Sequence, residues 1–178
     1  VSMYKDAAIA GIKRILKLKN EDKIPTDKIA SVKMGTTVAT NALLERKGDR
    51  TLLLITKGFK DLLRIGYQNR PLLFDLNIQL PELLYDRVVE VSERLDANGK
   101  IVKKLDENQV KIALKKAKND GINSVAIAFM HSYINPDHEN IIAKIAENEN
   151  FDQISVSHKV SPLIKLVGRG DTTVVDAY

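Results

Sequence analysis

The sequence predicts an α/β fold, with a mixed sheet flanked by helices and a β-hairpin insertion. Short apolar runs typical of buried strands alternate with amphipathic segments of helical spacing along the 178 residues. The turn-forming segment Asp96-Ala97-Asn98-Gly99-Lys100 separates two β-rich runs, which predicts a hairpin and therefore an antiparallel pair. Hydrophobic residues make up 44% of the chain, enough to form a substantial core.

The N-terminal third predicts a helix, a strand and a second helix. Apolar side chains recur at helical spacing over about residues 3 to 19, and a polar segment follows them. The apolar run 29–34 predicts a buried strand. Thr36 or Thr37 is a suitable cap for the next helix, and Gly48 is a suitable residue to end it.

The rest of the chain continues the alternation around one long irregular segment, residues 66–84, of a length that is usually functional or interfacial. Apolar or β-branched runs predict strands at 51–56, 88–95, 101–105, 124–129 and 154–157. Helical spacing and capping residues predict helices at 59–65, 106–121 and 135–148, and the start of another at 172–178.

Composition excludes several classes of function. The net charge is +5, but the lysines are scattered over polar helix faces, which is typical of a solvated surface and not of a nucleic-acid interface. The chain contains no cysteine, so thiol catalysis and thiolate metal sites are excluded. No apolar run is long enough to span a membrane and the first residues do not form a signal peptide, so we expect a cytoplasmic protein. The histidines and carboxylates lack metal-site spacing, and no metal site is predicted.

Gly35-Thr36-Thr37 is the first candidate site, because a glycine and two threonines precede a predicted helix. A helix N-terminus presents backbone N–H groups and hydroxyls that favour a phosphate or a polarised carbonyl oxygen. Asn41 follows Thr37 by one helical turn and is expected on the same side. The alternative is an ordinary threonine-capped turn, with Asn41 as a surface amide.

Gln68-Asn69-Arg70 is the second candidate, within the irregular segment. Two amides and an arginine can clamp a carboxylate. The alternative is a purely structural loop in which Arg70 pairs with Asp75 or Glu82.

His131 is the third candidate, because it follows the strand predicted at 124–129, and polar residues at the carboxyl ends of strands often form sites in α/β sheets. The alternative is a histidine that bonds the loop backbone.

His138 is expected to be exposed in the first turn of a helix. Arg169-Gly170-Asp171 matches an adhesion tripeptide, which we interpret as a coincidence.

Several segments in order resemble the N-terminal region of the hydantoinase A/5-oxoprolinase family. The resemblance begins near residue 30 and continues to the end of the chain. Its combination of motifs is specific, although each motif alone is weak. The matching segments are Gly35 to Gly48, Thr56 to Phe59, Ile65-Gly66, Gln68 to Pro71, Phe74 to Leu76, Glu93 to Gly99, His131 to Tyr133, Asn135-Pro136, His138-Glu139 and Thr172 to Tyr178.

The resemblance implies an ATP-dependent enzyme with a ribonuclease-H-like, actin-like ATPase core. Family members couple ATP hydrolysis, with Mg²⁺, to the opening of a cyclic amide such as a hydantoin or 5-oxoproline, and relatives carboxylate a ketone. It also implies a second, hydantoinase B-like subunit or domain as partner. Among the candidate residues it favours a role in substrate binding for Gly35, Thr36, Thr37, Asn41, Gln68, Asn69, Arg70 and His131. It assigns no catalytic residue.

The family normally opens with a Gly-Gly-Thr phosphate-binding hairpin and continues into a large C-terminal domain. Residues 1–178 contain neither, so we interpret them as a fragment that binds no cofactor tightly and has no turnover alone. Met34, Lys159 and Asp176 stand where the family usually has a histidine, an acidic residue and an asparagine. The alternatives are a non-catalytic scaffold that retains the fold, a subunit of an acetone-carboxylase-like enzyme and, less compatible with the motifs, a relative of sugar or acetate kinases.

Overall fold

The computed structural model describes residues 6–33, 35–69 and 74–178. The chain divides into two compact units, an N-terminal unit, Val1–Glu45, and a C-terminal unit, Arg46–Tyr178. Within the described ranges, no helix is both long enough and apolar enough to cross a membrane.

The described part of the N-terminal unit contains two α-helices, α1 (Ala7–Ile15) and α2 (Val38–Glu45), and a short 3-10 helix, Thr26–Lys28. Neither α-helix has a buried residue. The Asp6 carboxylate caps α1 by accepting hydrogen bonds from the N–H groups of Ala8 and Ile9. The strand predicted at 29–34 is wrong for residues 29–33, which are irregular, and Met34 lies outside the described residues. A strand needs a neighbour to satisfy its backbone groups, and the described part of this unit contains no other strand.

The first two helices end earlier than predicted. The α1 helix stops at Ile15, and Lys17 then adopts a φ of 55°. The α2 helix stops at Glu45, and Arg46 takes the left-handed conformation expected of a terminating glycine, with a φ of 54°. Gly48 serves close packing instead, because a Cβ atom there would lie 2.3 Å from the Tyr178 ring.

The C-terminal unit carries the sheet and the remaining helices. Its strands are β1 (Thr51–Thr56), β2 (Arg87–Val91), β3 (Arg94–Leu95), β4 (Ile101–Lys103), β5 (Ser124–Ala128) and β6 (Gln153–Val156). Its helices are α3 (Leu62–Ile65), α4 (Glu107–Asn119), α5 (Asp137–Asn148), α6 (Ser157–Val160) and α7 (Leu166–Ala177).

The main sheet has four parallel strands in the order β2-β1-β5-β6, while β3 and β4 form a separate antiparallel pair. The predicted α/β class, flanking helices and hairpin insertion are therefore confirmed. The prediction that the sheet is mixed needs correction, because the hairpin does not join it. The chain leaves the sheet edge after β2 in a tight turn, in which the Glu93 N–H donates to the Val91 carbonyl oxygen at 3.0 Å.

Helices cover both faces of the main sheet, and β1 contributes to both cores. Leu52 and Leu54 pack in the core that includes residues of α4 and α5. Leu53 and Ile55 pack in the core that includes residues of α3 and α7. This two-sided burial explains the continuous apolar run of β1, which is typical of a central parallel strand.

The last helix, α7, begins at Leu166, six residues before the predicted Thr172. Gly168 and Gly170 obscured its start, because glycine disfavours a helix interior. A Cβ atom at Gly170 would lie 2.9 Å from the Leu63 side chain, so the missing side chain lets α7 approach α3 closely. The short α6 helix was also missed by the sequence prediction.

Candidate functional site

The strand order reverses between β1 and β5. The connection from β1 leads to β2 on one side, and the connection from β5 leads to β6 on the other. In parallel α/β sheets, ligands bind outside the carboxyl ends of the strands at such a switch point. Thr56 ends β1, and Phe129, Met130 and His131 follow β5. We define these residues as the switch point.

A buried chain of hydrogen bonds joins the two strand ends at the switch point. The Met130 N–H donates to Thr56 Oγ1 at 2.9 Å, and the Thr56 hydroxyl donates to Glu93 Oε1. The other oxygen of Glu93 lies 2.8 Å from His138 Nδ1. Thr56 and Glu93 are buried, and His138 is only 3% exposed. The predicted exposure of His138 is therefore wrong, because its ring turns inward to the Glu93 carboxylate.

Glu139 makes a second buried cluster, which bonds the backbone N–H next to the one that Thr56 accepts. Its Oε1 accepts hydrogen bonds from the Phe129 N–H at 2.9 Å and the Ser157 hydroxyl at 2.6 Å. Its Oε2 accepts a hydrogen bond from the His158 N–H at 3.1 Å and lies 2.6 Å from His158 Nδ1. The cluster holds the ends of β5 and β6 against α5.

Arg169 completes the support of the β5 end from α7. Its guanidinium donates to the Phe129 carbonyl oxygen and, at 2.7 Å, to that of Leu163, and it lies 5.4 Å from the centroid of the Tyr133 ring. Burial lowers the pKa of Arg169, and the negative charge of Glu139 acts in the opposite direction. The backbone of Phe129 is thus held by a carboxylate at its N–H and by a guanidinium at its C=O.

The sequence interpretation missed Arg169, because Arg169-Gly170-Asp171 was considered only as a coincidental tripeptide. The helical spacing from Leu166 to Arg169 to Thr173 carries a usable signal, since all three share one buried face of α7. An arginine on an otherwise apolar face predicts a buried guanidinium that must find acceptors.

His131 follows β5 in a strained conformation, with a φ of 63°. Its Nδ1 atom is buried and has no hydrogen-bond partner among the described residues. An orphaned buried N–H is rarer and less favourable than an orphaned acceptor, so we infer that Nδ1 carries no proton. The Nε2 atom of the neutral ring is then a hydrogen-bond donor.

Gln68 and Asn69 line one surface cleft of about 350 Å³ together with Arg64 and Leu80. Gln68 adopts a φ of 56° just after α3. Arg70, the third member of the predicted clamp, lies outside the described residues. His131 is not among the residues that line this cleft.

A neighbouring cavity of about 240 Å³ shares Arg64 and Leu80 with that cleft. Tyr85 and Asp171 contribute polar groups to it, and burial raises the pKa of both. Arg64 acts against this effect at Tyr85, whose pKa its positive charge lowers. The irregular segment and α3 therefore form adjoining hollows with a few polar groups on mainly apolar walls.

The remaining candidates lie in the N-terminal unit, at the start of α2. Thr36 Oγ1 accepts a hydrogen bond from the Val38 N–H at 3.2 Å, so a threonine cap is present. Thr37 is linked to Asn41 by a backbone hydrogen bond of 2.8 Å. All of these residues are exposed, and the space beside the Gly35 Cα atom is open.

The adjacent residues Asp137, His138 and Glu139 do not form a metal site. His138 and Glu139 point to different partners, Glu93 and His158. Throughout the described part of the chain, no group of three or more histidine, cysteine or carboxylate residues could hold a metal ion.

A sequence model of the hydantoinase/oxoprolinase N-terminal region matches residues 1–150. The chain belongs to this family. The resemblance inferred from its motifs is therefore confirmed. 5-Oxoprolinase 1 of Arabidopsis thaliana aligns with this chain at 45% identity, in an alignment 202 residues long. The alignment covers 99% of this chain and 16% of that protein. The chain thus spans about one sixth of the length of this curated relative.

Two solved structures share the fold. An ATP-dependent caprolactamase from Pseudomonas jessenii matches with a TM-score of 0.75 and 28% identity, over 98% of this chain and 26% of its own. A nucleotide-free acetone carboxylase matches with a TM-score of 0.70 and 22% identity, over 79% of this chain and 22% of its own. Both likenesses are consistent with the ribonuclease-H-like, actin-like core that the family resemblance implied.

Proposed function

We propose that this family member acts as part of an ATP-dependent enzyme that opens a cyclic amide of the 5-oxoproline or hydantoin type. The observation that carries the proposal is the 45% identity to 5-oxoprolinase 1, which extends over 99% of the chain. The fold shared with an ATP-dependent caprolactamase supports it.

The chemistry requires activation of a resonance-stabilised amide. When bound, ATP would supply a phosphoryl group to the carbonyl oxygen, which makes the carbonyl carbon electrophilic. Phosphoryl transfer depends mainly on positioning and on stabilisation of charge. The contribution expected of this chain is therefore to bind and orient oxygen atoms and to hold hydrogen-bond donors in place.

The start of α2 fits one contact of this kind. The exposed Gly35-Thr36-Thr37 turn and the helix N-terminus suit an anionic or polarised oxygen, and the open space at Gly35 allows its approach. The turn after β1 does not fit a phosphate cradle, because the N–H groups of Lys57, Gly58 and Phe59 all donate to acceptors within the protein. No described residue is assigned to Mg²⁺, which we expect to accompany the nucleotide.

On the substrate side, we assign His131 the role of donating a hydrogen bond from Nε2 to the carbonyl oxygen. Its strained backbone and the bracing of Phe129 by Glu139 and Arg169 support this role. Gln68 and Asn69 are assigned to polar groups of the substrate. Pairing of Arg70 with a substrate carboxylate stays a prediction.

The test is an assay of ATP hydrolysis and ring opening by the protein at its natural length, with and without 5-oxoproline or a hydantoin. It is run with and without a hydantoinase B-like subunit. We expect hydrolysis that depends on the cyclic amide, and we expect none from residues 1–178 alone. Absence of any stimulation by cyclic amides would refute the proposal.

A variant pair examines the His131 assignment in the same assay. His131→Gln should lower kcat by about 100-fold, as expected for the loss of one donor to a developing oxyanion. Lys115→Gln is the control, because the Lys115 side chain is 63% exposed on α4 and lines no cavity described above. Equal kcat values for both variants would show that His131 does not act in the site, and the proposed overall activity would still stand.

A further inference from the structure

A second cleft, of about 560 Å³, lies between the loop after β4 and the exposed face of α5. Lys104 and Glu107 contribute to one wall, and Asp137 and Lys144 contribute to the wall formed by α5. His138 also lines it. None of these residues belongs to the candidate sites predicted from the sequence.

His138 presents a hydrogen-bond acceptor to this cleft. Its Nδ1 faces Glu93 Oε2 at 2.8 Å, and Glu93 is buried with its other oxygen accepting the Thr56 hydroxyl. The buried carboxylate requires a donor, so we place a proton on Nδ1, and the tautomer that meets this requirement leaves Nε2 as an acceptor. No described residue bonds Nε2, although the His138 side chain is only 4% exposed. The free edge of the ring therefore belongs to the cleft.

The charges around His138 are balanced. Asp137 and Lys144 are seven residues apart on one face of α5, which separates them by about 10 Å along the helix axis. Lys104 and Glu107 add one charge of each sign from the other side. Two cations and two anions do not favour a phosphate dianion, whereas they match a ligand that carries both signs.

We propose that this cleft binds a small amino acid in its zwitterionic form. The ammonium group donates to His138 Nε2 and approaches Asp137, and carboxylate groups approach Lys144 and Lys104. Opening a cyclic amide releases a compound of this class, because hydrolysis frees an amine and a carboxylate. That link to product binding rests on the proposed function, whereas the binding itself does not.

Calorimetric and NMR titrations of the 178-residue chain test the proposal. The probes are glutamate and 5-oxoproline, which share a carbon skeleton and a net charge but differ in the ammonium group, together with inorganic phosphate. Glutamate should bind at least about tenfold more tightly than either control, which corresponds to one charge-assisted hydrogen bond. The amide shifts should centre on Asn140 and Lys144. Absence of glutamate binding, or equal binding of 5-oxoproline, would overturn the proposal.

Variants locate the binding. Lys144→Gln should weaken glutamate binding by about tenfold, and Lys115→Gln, an exposed lysine outside the cleft, should leave it unchanged. His138→Gln should weaken it as well. If the His138→Gln variant does not fold, the glutamate affinity of the Lys144→Gln variant alone decides whether the cleft is the binding site. An equal loss of glutamate affinity in the Lys144→Gln and Lys115→Gln variants would refute the site. Amide-dependent ATP hydrolysis without glutamate binding would refute only this inference and leave the proposed function standing.

Discussion

At the scale of single residues, two buried charges hold the peptide at the end of β5. Glu139 accepts the Phe129 N–H, and Arg169 donates to the Phe129 carbonyl oxygen. Both side chains are fully buried, where an unpaired charge would be strongly destabilising. The Phe129 backbone between them therefore has a fixed direction where the chain leaves β5.

Replacing the Glu139 carboxylate tests this arrangement. In Glu139→Gln, the side-chain NH₂ group replaces one carboxylate oxygen. It would then face either the two donors of His158 or the donors of Phe129 and Ser157, and that pair of donors would have no acceptor. We expect the free energy of unfolding to fall by about 3 kcal/mol, measured by urea denaturation.

Glu147→Gln is the matched control, since Glu147 is an exposed residue of the same helix. Its effect should stay within about 0.5 kcal/mol. A Glu139→Gln protein as stable as this control would contradict the idea that the buried carboxylate organises the β5 end.

At the scale of elements, the β3–β4 hairpin shows how one side chain shapes a turn. Asp96 Oδ1 accepts the N–H groups of Asn98 at 2.8 Å and Lys100 at 2.9 Å, and Gly99 adopts a φ of 78°. The Asn135 side chain then donates to the Gly99 carbonyl oxygen at 2.9 Å. The turn is thus fixed to the start of α5, although its strands stand apart from the main sheet.

The turn gives a pH-dependent prediction. Backbone hydrogen bonds from Lys100 and Asn98 hold the pKa of Asp96 below its ordinary value of 3.8, because they favour the charged form. A carboxyl group with a lowered folded-state pKa stabilises the protein above its unfolded-state pKa, and this contribution disappears as the pH falls through the folded value. Asp96→Asn should therefore lower the urea midpoint near neutral pH, with a smaller difference below a pH of about 3.8.

Asp61→Asn serves as the comparison, because Asp61 precedes α3 without a side-chain capping bond. The difference in urea midpoint between the Asp61→Asn variant and the wild-type protein should not become smaller in the same acid range. A pH-independent effect of Asp96→Asn would show that the charge of Asp96 does not strengthen the turn.

At the scale of the whole molecule, burial is concentrated in the centre of the parallel sheet. Every residue of β1 and β5 is buried, and each strand has a hydrogen-bonded neighbour on both sides. By contrast, α1 and α2 of the N-terminal unit have no buried residue. Local stability follows such differences in burial and backbone protection.

Native-state hydrogen exchange should reproduce this distribution. We expect the slowest amide exchange in β1 and β5, near the rate set by global unfolding, and fast exchange throughout α1 and α2. Protection of α2 equal to that of β1 would contradict the prediction.

Much of the fold and part of the site could be predicted from local sequence. The apolar run of β1 and the caps and periodicity of α4 and α5 predicted these elements closely, because local patterns record burial and termination. The strand proposed at 29–33 failed, since pairing depends on a partner that a local pattern does not contain. Of the candidate residues, the turn at Thr36 and the position of His131 after β5 followed from strand and helix signals.

Taken alone, the sequence determined the α/β class, the family and the alternation of strands and helices, because these depend on local residue patterns and their order. Only the tertiary structure decided that the hairpin leaves the sheet, that His138 turns to Glu93, and that Glu139 and Arg169 hold Phe129 from opposite sides. These contacts join residues 10 to 45 positions apart along the chain. The physical reason is that a buried polar group must find its partner in space, and its own sequence neighbourhood does not name that partner.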